Sequence, residues 1–178
     1  MRIMKRFSLS REILLLFPMI LLSSCSTPQL PESSEPLVAI MAQRLSMARD
    51  VAWAKQADGL PVRDPAREQE ILQKLVRQGE AADLDEGLVA RFIRAQIDAS
   101  CLEQEAWMSK WKQGEPMPAG DPPDLEKLRS RLDRLSSYLV AEYAAAWNTP
   151  APAARARLEK TAINPRAAAA AASGFITR

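Results

Sequence analysis

Two cationic side chains lie on what is otherwise the apolar face of a predicted helix. Arg44 and Lys55 are eleven residues apart, which places them about 16 Å apart along one side of a helix. A charge that is buried without a partner is strongly destabilising. The pattern therefore predicts either acidic partners opposite these cations or a pocket that receives an anion. The face recurs at three- and four-residue steps and consists of Leu37, Met41, Arg44, Ala48, Val51 and Lys55.

The composition excludes several kinds of chemistry. The chain has no histidine, the commonest general base and metal ligand, and Cys25 and Cys101 lack zinc-binding spacing. Triad hydrolysis and a histidine metal site are therefore not expected, and no cofactor or metal is predicted. A net charge of +2 gives no reason to expect nucleic-acid binding. The length of 178 residues suits one domain with a leader, and the many helix-forming residues predict an all-α fold.

Residues 1–25 are expected to form a secretion leader. Basic residues precede an apolar run that is too short to span a bilayer. The run ends in Leu22, two serines and Cys25, and this end resembles a bacterial lipoprotein signal, in which the cysteine is lipidated. Ser26 follows in place of an aspartate, so the resemblance implies a periplasmic protein anchored to the outer membrane. The alternative is an ordinary signal peptide that is cut near Ser24 and leaves Cys25 as a free thiol.

Residues 26–36 are rich in proline and serine, which predicts a flexible tether between the leader and the domain. If Cys25 is lipidated, Cys101 has no partner within the chain, and we expect it to be a small buried residue of a helix. A disulfide between Cys25 and Cys101 is the alternative.

The helical domain is predicted to occupy residues 37–165. Asp64, Asp85 and Asp124 are expected to begin three of its helices, because an aspartate side chain accepts hydrogen bonds from free amides. The alanine-rich end, residues 166–178, is expected to be either a marginal helix or a frayed tail. The predicted helices span about 37–58, 64–78, 85–112 and 124–147, with a loop rich in proline and glycine at 114–123.

Further polar groups interrupt the predicted core faces or lie at the helix start between them. Three arginines and one lysine among them face few acids, which suits a small ligand with two carboxylates. Each residue alone also has a structural explanation: a cation can extend along the surface, Asp64 can serve only as a helix cap, and Gln96 can link two helices. The set consists of Arg44, Lys55, Asp64, Arg67, Glu68, Gln96, Ser100, Gln104 and Arg129.

The order and spacing of these residues resemble those of the all-helical chorismate mutases, and within them the secreted gamma subclass. The resemblance covers residues 37–147 and includes Leu60-Pro61-Val62 ahead of Asp64. It implies an all-helical bundle that converts chorismate to prephenate with no nucleophile, cofactor or proton transfer. The matching positions are Arg44, Lys55, Asp64, the adjacent Arg67 and Glu68, Ser100 and Gln104 in a Ser-x-x-x-Gln step, and Arg129.

The resemblance also implies which residues hold the two carboxylates of the substrate. Arg44 and Arg129 would bind the enolpyruvyl carboxylate, and Arg67 would bind the ring carboxylate. Ser100 would line the carboxylate end of the site. In compact cytosolic relatives one site arginine comes from a partner chain, whereas Arg129 lies late in the same chain here, so each subunit should hold a complete site.

The reacting end of the site is assigned in the same way. Lys55 and Gln104 would donate to the breaking ether oxygen, and Glu68, with the region of Asp64, would accept from the ring hydroxyl. Some relatives carry a glutamate at the position of Gln104, and that glutamate must be protonated to donate. A glutamine donates without titrating, so the rate should be nearly flat through neutral pH.

Other implications and alternatives follow. Gamma members are commonly homodimers, and their C-terminal disulfide cannot form here with Cys101 alone. The segment after Trp147 is short beside gamma relatives, which puts the covering of the bundle in doubt.

An isochorismate-pyruvate lyase shares the fold and much of the site, although the loop around residue 60 and Arg129 favour the mutase. A non-catalytic helical lipoprotein on the same scaffold is the alternative from another class.

Overall fold

The computed structural model describes residues 34–147, 149–161 and 163–175, and within these residues the secondary structure is entirely helical. The predicted leader, Cys25 and most of the predicted tether lie outside the described residues. No described helix is long and apolar enough to cross a membrane. In chain order the helices are α1 (Glu35–Ser46), α2 (Ala48–Ala57), α3 (Pro65–Glu80), α4 (Glu86–Lys112), α5 (Leu125–Ala146), α6 (Ala151–Glu159) and α7 (Pro165–Ala172).

The first predicted helix is interrupted at one residue. Helix α1 begins two residues before Leu37, so residues 35 and 36 belong to the helix and not to the tether. At Met47 the backbone amide donates to the Arg44 carbonyl, three residues back, at 3.3 Å. The Ser46 hydroxyl donates to the Gln43 carbonyl at 2.8 Å, which removes an acceptor from the regular ladder. Helix α2 continues from Ala48, and both Arg44 and Lys55 remain buried.

The three predicted aspartate caps are present. The Asp64 carboxylate accepts from the Arg67 amide at 3.1 Å and begins α3, while Asp85 accepts from the Leu88 amide at 2.9 Å and begins α4. Asp124 accepts from two amides of the first turn of α5. Because each cap satisfies amides that have no partner within the helix, these local signals fix where the helices begin.

The core lies around α4, which contacts α2, α3 and α7 extensively. Phe92 of α4 stacks on Tyr143 of α5 with ring centroids 4.1 Å apart, and Phe175 closes the far side at 5.4 Å from Phe92. Gly174 makes this closure possible, because a Cβ there would lie 3.0 Å from the Phe92 backbone. The aromatic cluster therefore joins the C-terminal residues to the centre of the bundle.

The alanine-rich C-terminus is helical and packed, so the frayed-tail alternative is wrong for the described residues. The small side chains of α7 allow close approach to α4, and the buried Ala167, Ala168, Ala171 and Ala172 belong to the main core. Gln96 donates to the Ala171 carbonyl at 2.9 Å, near the end of α7 where that carbonyl lacks a helical partner. The packed domain thus extends past residue 165, and α6 and α7 cover the bundle.

Enlarging a buried alanine tests this packing. Ala168→Leu should lower the free energy of unfolding by about 1–3 kcal/mol, because the closely packed face has no room for three more carbons. Ala169→Leu is the matched control, since Ala169 is next in the helix and only partly buried, and it should change stability by less than about 0.5 kcal/mol. Chemical denaturation of both variants measures the difference. Equal stabilities would contradict a packed α7.

Candidate active site

One pocket opens between α1, α2, α3, α4 and α5. Its empty volume, with its open mouth included, is about 650 Å³. Val51, Ile71, Ile97 and Leu132 give it apolar walls. Its polar lining includes all eight residues that the sequence assigned to substrate binding, which are Arg44, Lys55, Asp64, Arg67, Glu68, Ser100, Gln104 and Arg129.

Arg44 projects from the last turn of α1 and is 7% exposed. Its Nε donates to the Ser136 hydroxyl of α5 at 3.1 Å, while its buried Nη1 has no hydrogen-bond partner. Burial lowers the pKa of the guanidinium to about 10, with the nearby Asp133 carboxylate acting in the opposite direction. Arg44 is therefore charged at neutral pH and retains an unused donor, which suits an anionic ligand.

Lys55 lies in the last turn of α2, and its ammonium donates to the Val62 carbonyl of the loop before α3. Burial lowers its pKa, and the neighbouring Cys101, Arg129 and acidic groups contribute smaller effects of both signs. Within the described residues, no carboxylate forms an ion pair with Lys55 or Arg44. These two cations remain available for a ligand that brings negative charge.

The other two cations already have acidic partners. The Arg67 Nη2 donates to both Asp133 oxygens at 2.7 Å, and its Nη1 donates to Glu70 at 2.7 Å, so only the buried Nε lacks a partner. These bonds raise the pKa of Arg67 against the opposing effect of burial. Arg129 pairs with Asp64 at 3.3 Å and with the exposed Glu126 at 2.7 Å. A ligand would have to share or displace these acids.

Glu68 is held at the mouth of the pocket. One carboxylate oxygen accepts from the Asp64 amide at 3.3 Å, and the other accepts from Arg63 at 3.2 Å. Arg63 also pairs with Asp98 of α4 at 2.8 Å, which links the loop before α3 to α4. These contacts orient Glu68 as a hydrogen-bond acceptor.

The described residues contain no cluster of acidic or cysteine side chains that could hold a metal ion.

Gln104 and Ser100 lie one turn apart on α4 and contact each other. The Gln104 Nε2 donates to the Ser100 hydroxyl at 3.2 Å, and the buried Gln104 Oε1 has no partner. A buried amide oxygen without a donor is unfavourable, so the Gln104 amide gains when a donor reaches Oε1. Gln96, in contrast, lies outside the pocket and links α4 to α7, which is the structural alternative considered for it.

Three lining residues that carry a thiol, carboxyl or hydroxyl group were not predicted as site residues: Cys101, Asp133 and Ser136. Cys101 is a buried free thiol whose pKa rises to about 11, chiefly through burial, and it contacts Glu68 at 3.9 Å. Asp133 and Ser136 follow Arg129 by four and seven residues, so the three occupy one face of α5. That spacing was visible in the sequence. Their arginine partners on α1 and α3 depend on how the helices cross, which the spacing does not give.

The fold and the pocket define an all-helical bundle with a cationic site between its helices. The sequence pattern of a known family, chorismate mutase type II, matches residues 33–105. The match covers α1, α2, α3 and most of α4.

Curated relatives and solved structures agree with this match. Secreted chorismate mutases of Mycolicibacterium smegmatis and Mycobacterium tuberculosis are 33% and 31% identical to the chain, over 63% and 75% of its length. The chain spans 62% and 66% of those two proteins, which is less than two thirds of each.

The fold is that of secreted chorismate mutase from Yersinia pestis, with a TM-score of 0.68 and 24% identity over 79% of this chain and 95% of that one. Chorismate mutase from Burkholderia thailandensis gives a TM-score of 0.67 and 29% identity, over 80% of this chain and 97% of that one.

Proposed function

We propose that the protein is a chorismate mutase, which converts chorismate to prephenate. The observation that carries the proposal is the state of two cations in the pocket: within the described residues Arg44 and Lys55 are buried without ion-pair partners, and Arg44 Nη1 has no hydrogen-bond acceptor. A ligand with carboxylates and an ether oxygen supplies acceptors for these two cations. The family and the secreted chorismate mutases among its relatives support the same substrate.

The proposed reaction is a rearrangement within one molecule. The ether C–O bond breaks while a new C–C bond forms between the enolpyruvyl side chain and the ring, and no proton or group leaves the substrate. The protein therefore contributes by holding the side chain folded over the ring and by stabilising negative charge that develops on the ether oxygen. The apolar walls formed by Val51, Ile97 and Leu132 suit the faces of the ring.

The carboxylates would bind at the arginine end. Arg44 offers its unused Nη1 to the enolpyruvyl carboxylate, and Arg129 offers a second cation if Asp64 yields its contact. The Arg67 Nε has no partner, while Asp133 and Glu70 accept from its terminal nitrogens. Its assigned role at the ring carboxylate therefore has to compete with these two acids, and Ser100 lines the same pocket.

The ether oxygen would be met by Lys55 and Gln104. If the Gln104 amide rotates by a half-turn, Nε2 can donate to the ether oxygen and Oε1 can accept from the Ser100 hydroxyl. Both ends of the amide then have a hydrogen-bond partner. This half-turn is a rotation about the last side-chain torsion of Gln104, so it needs no backbone movement. Glu68, held by the Asp64 amide, would accept from the ring hydroxyl.

All of these residues come from one chain, which supports the proposal that each subunit holds a complete site. A homodimer remains part of the proposal by analogy with the gamma subclass. Sedimentation equilibrium of the purified domain measures the mass directly, and activity in a monomeric fraction would show that assembly is not needed for catalysis.

The proposed location is the periplasm, with an anchor in the outer membrane through lipidated Cys25. The name "secreted" carried by the relatives supports an extracytoplasmic location. Metabolic labelling with a clickable fatty acid should mark the wild-type protein and not Cys25→Ala. An unlabelled wild-type protein would contradict the anchor and favour an ordinary signal peptide.

The products formed from two related substrates test the proposed function. The purified domain should convert chorismate to prephenate and should release no pyruvate from isochorismate. Chromatography of both reactions separates prephenate, pyruvate and salicylate. Pyruvate and salicylate from isochorismate, without prephenate from chorismate, would overturn the mutase in favour of a lyase.

A further inference from the structure

We propose that Ser136 is a positioning residue that orients the Arg44 guanidinium for a carboxylate, an inference that rests on the proposed function. Ser136 lies on α5, is 3% exposed and lines the pocket. Its hydroxyl donates to the Leu132 carbonyl at 2.7 Å and accepts from Arg44 Nε at 3.1 Å. With its proton committed to Leu132, the hydroxyl presents only lone pairs to Arg44.

The contact matters because Arg44 has little else to fix it. Within the described residues no acid forms an ion pair with Arg44, and its Nη1 is buried without a partner. A long arginine side chain loses considerable rotamer freedom when it binds a ligand. Ser136 holds Nε from the α5 side through a contact that needs no ligand, so the guanidinium can be oriented before the substrate binds.

An uncharged hydrogen-bond partner for Arg44 also suits a negatively charged ligand. Asp133 holds Arg67 with a carboxylate, which competes with a substrate carboxylate for the same guanidinium. Ser136 holds Arg44 without adding negative charge to the pocket. Arg44 is therefore positioned and still fully available, whereas Arg67 is largely neutralised. This division assigns the stronger carboxylate contact to Arg44.

A purely structural role for Ser136 is distinguishable. A serine that bonds the carbonyl four residues back can serve only its own helix, and its loss would then affect stability and not substrate affinity. Ser136→Ala removes both bonds, and Ser136→Thr keeps the hydroxyl. Ser137→Ala is the matched control, because Ser137 is the next residue of α5 and does not line the pocket.

Two measurements test the proposal. In nitrogen-edited NMR spectra the Arg44 Nε–H should give a protected signal that Ser136→Ala removes and that Ser136→Thr and Ser137→Ala retain. Ser136→Ala should also raise KM for chorismate about tenfold with kcat within about threefold of wild type, the effect of losing one hydrogen bond to a charged group. Combined with Arg44→Lys, which lacks Nε, Ser136→Ala should add less than about twofold.

A retained Nε–H signal in Ser136→Ala, or a KM equal to that of wild type, would overturn the proposal. If threonine is too large for the site, Ser136→Ala alone and in combination with Arg44→Lys still distinguishes a positioning role from a purely structural one. A wild-type protein that turns over no chorismate would overturn the proposed function, and the Nε–H signal would still tell whether Ser136 holds Arg44.

Discussion

Replacing Lys55 with methionine should reduce kcat for chorismate by about 10²–10³-fold, the usual effect of deleting one donor to a developing negative charge. Lys55 is the buried ammonium of the pocket, and its expected acceptor is the ether oxygen. The loss should appear mainly in kcat, because charge on that oxygen grows only as the bond breaks. Steady-state kinetics by the loss of chorismate absorbance gives both constants.

The same variant should keep nearly the stability of the wild type, because removal of the buried charge offsets the loss of the Lys55 hydrogen bond to the Val62 carbonyl. Burial lowers the pKa of Lys55, so its charged form is disfavoured by folding, and methionine of similar length removes that penalty. Lys127→Met is the control, since Lys127 is highly exposed at the start of α5 and should leave kcat unchanged. A Lys55→Met enzyme with kcat within threefold of wild type would remove Lys55 from the reacting end.

Gln104→Glu should convert a flat pH profile into an acid-dependent one. The amide donates at every pH, whereas a carboxyl at this position donates only when protonated. Below the pKa of the new carboxyl the variant should approach the wild-type rate. As the pH rises through that pKa, the carboxylate loses its proton and repels the dianion, so kcat/KM should fall about tenfold per pH unit.

The wild-type profile has its own limit at high pH. Lys55 and Arg44 act as cations, and burial lowers the pKa of both, that of Arg44 to about 10. Activity that needs these charges is present below their pKa values and is lost above them, so the rate should be flat near neutrality and decline in alkali. Gln113→Glu is the control for Gln104→Glu, because residue 113 is exposed just after α4, and this variant should keep the wild-type pH profile.

A Gln104→Glu enzyme that is fully active above neutral pH would contradict the role of Gln104 as a hydrogen-bond donor to the ether oxygen.

The parts of the fold that short-range chemistry determines could be predicted from the sequence. Aspartates 64, 85 and 124 begin helices because each accepts hydrogen bonds from amides within three residues. The observed end of α4 at Lys112 also agrees with the prediction. The interruption at Met47 escaped prediction, because apolar periodicity continues through a single tightened turn.

The C-terminal packing was harder to predict because alanine carries a weak signal. Residues 167–172 could form a helix on propensity alone, but only the surface of α4 makes their burial favourable. The same holds for Gln96, whose partner is a carbonyl 75 residues away. Tertiary contacts of this kind depend on how helices pack and leave little trace in local sequence.

The sequence allowed prediction of which residues line the pocket, but not of the contacts between them. The eight residues of the proposed site were predicted from polar groups on core faces together with the family resemblance, and the structure brings all of them to one cavity. The pairing of the arginines could not be predicted, because Asp133 and Ser136 reach Arg67 and Arg44 across helix interfaces. Those cross-helix contacts distinguish occupied cations from available ones, which the sequence alone could not do.

The most direct test of the central claim is the rate of chorismate loss with purified wild-type protein and with Arg44→Ala. The account predicts that the wild type forms prephenate and that Arg44→Ala lowers kcat/KM by at least about 10²-fold, since it removes a charged contact to a carboxylate. Arg131→Ala, on the exposed side of α5, should match the wild type. A wild-type protein without mutase activity, or equal rates for wild type and Arg44→Ala, would contradict the account.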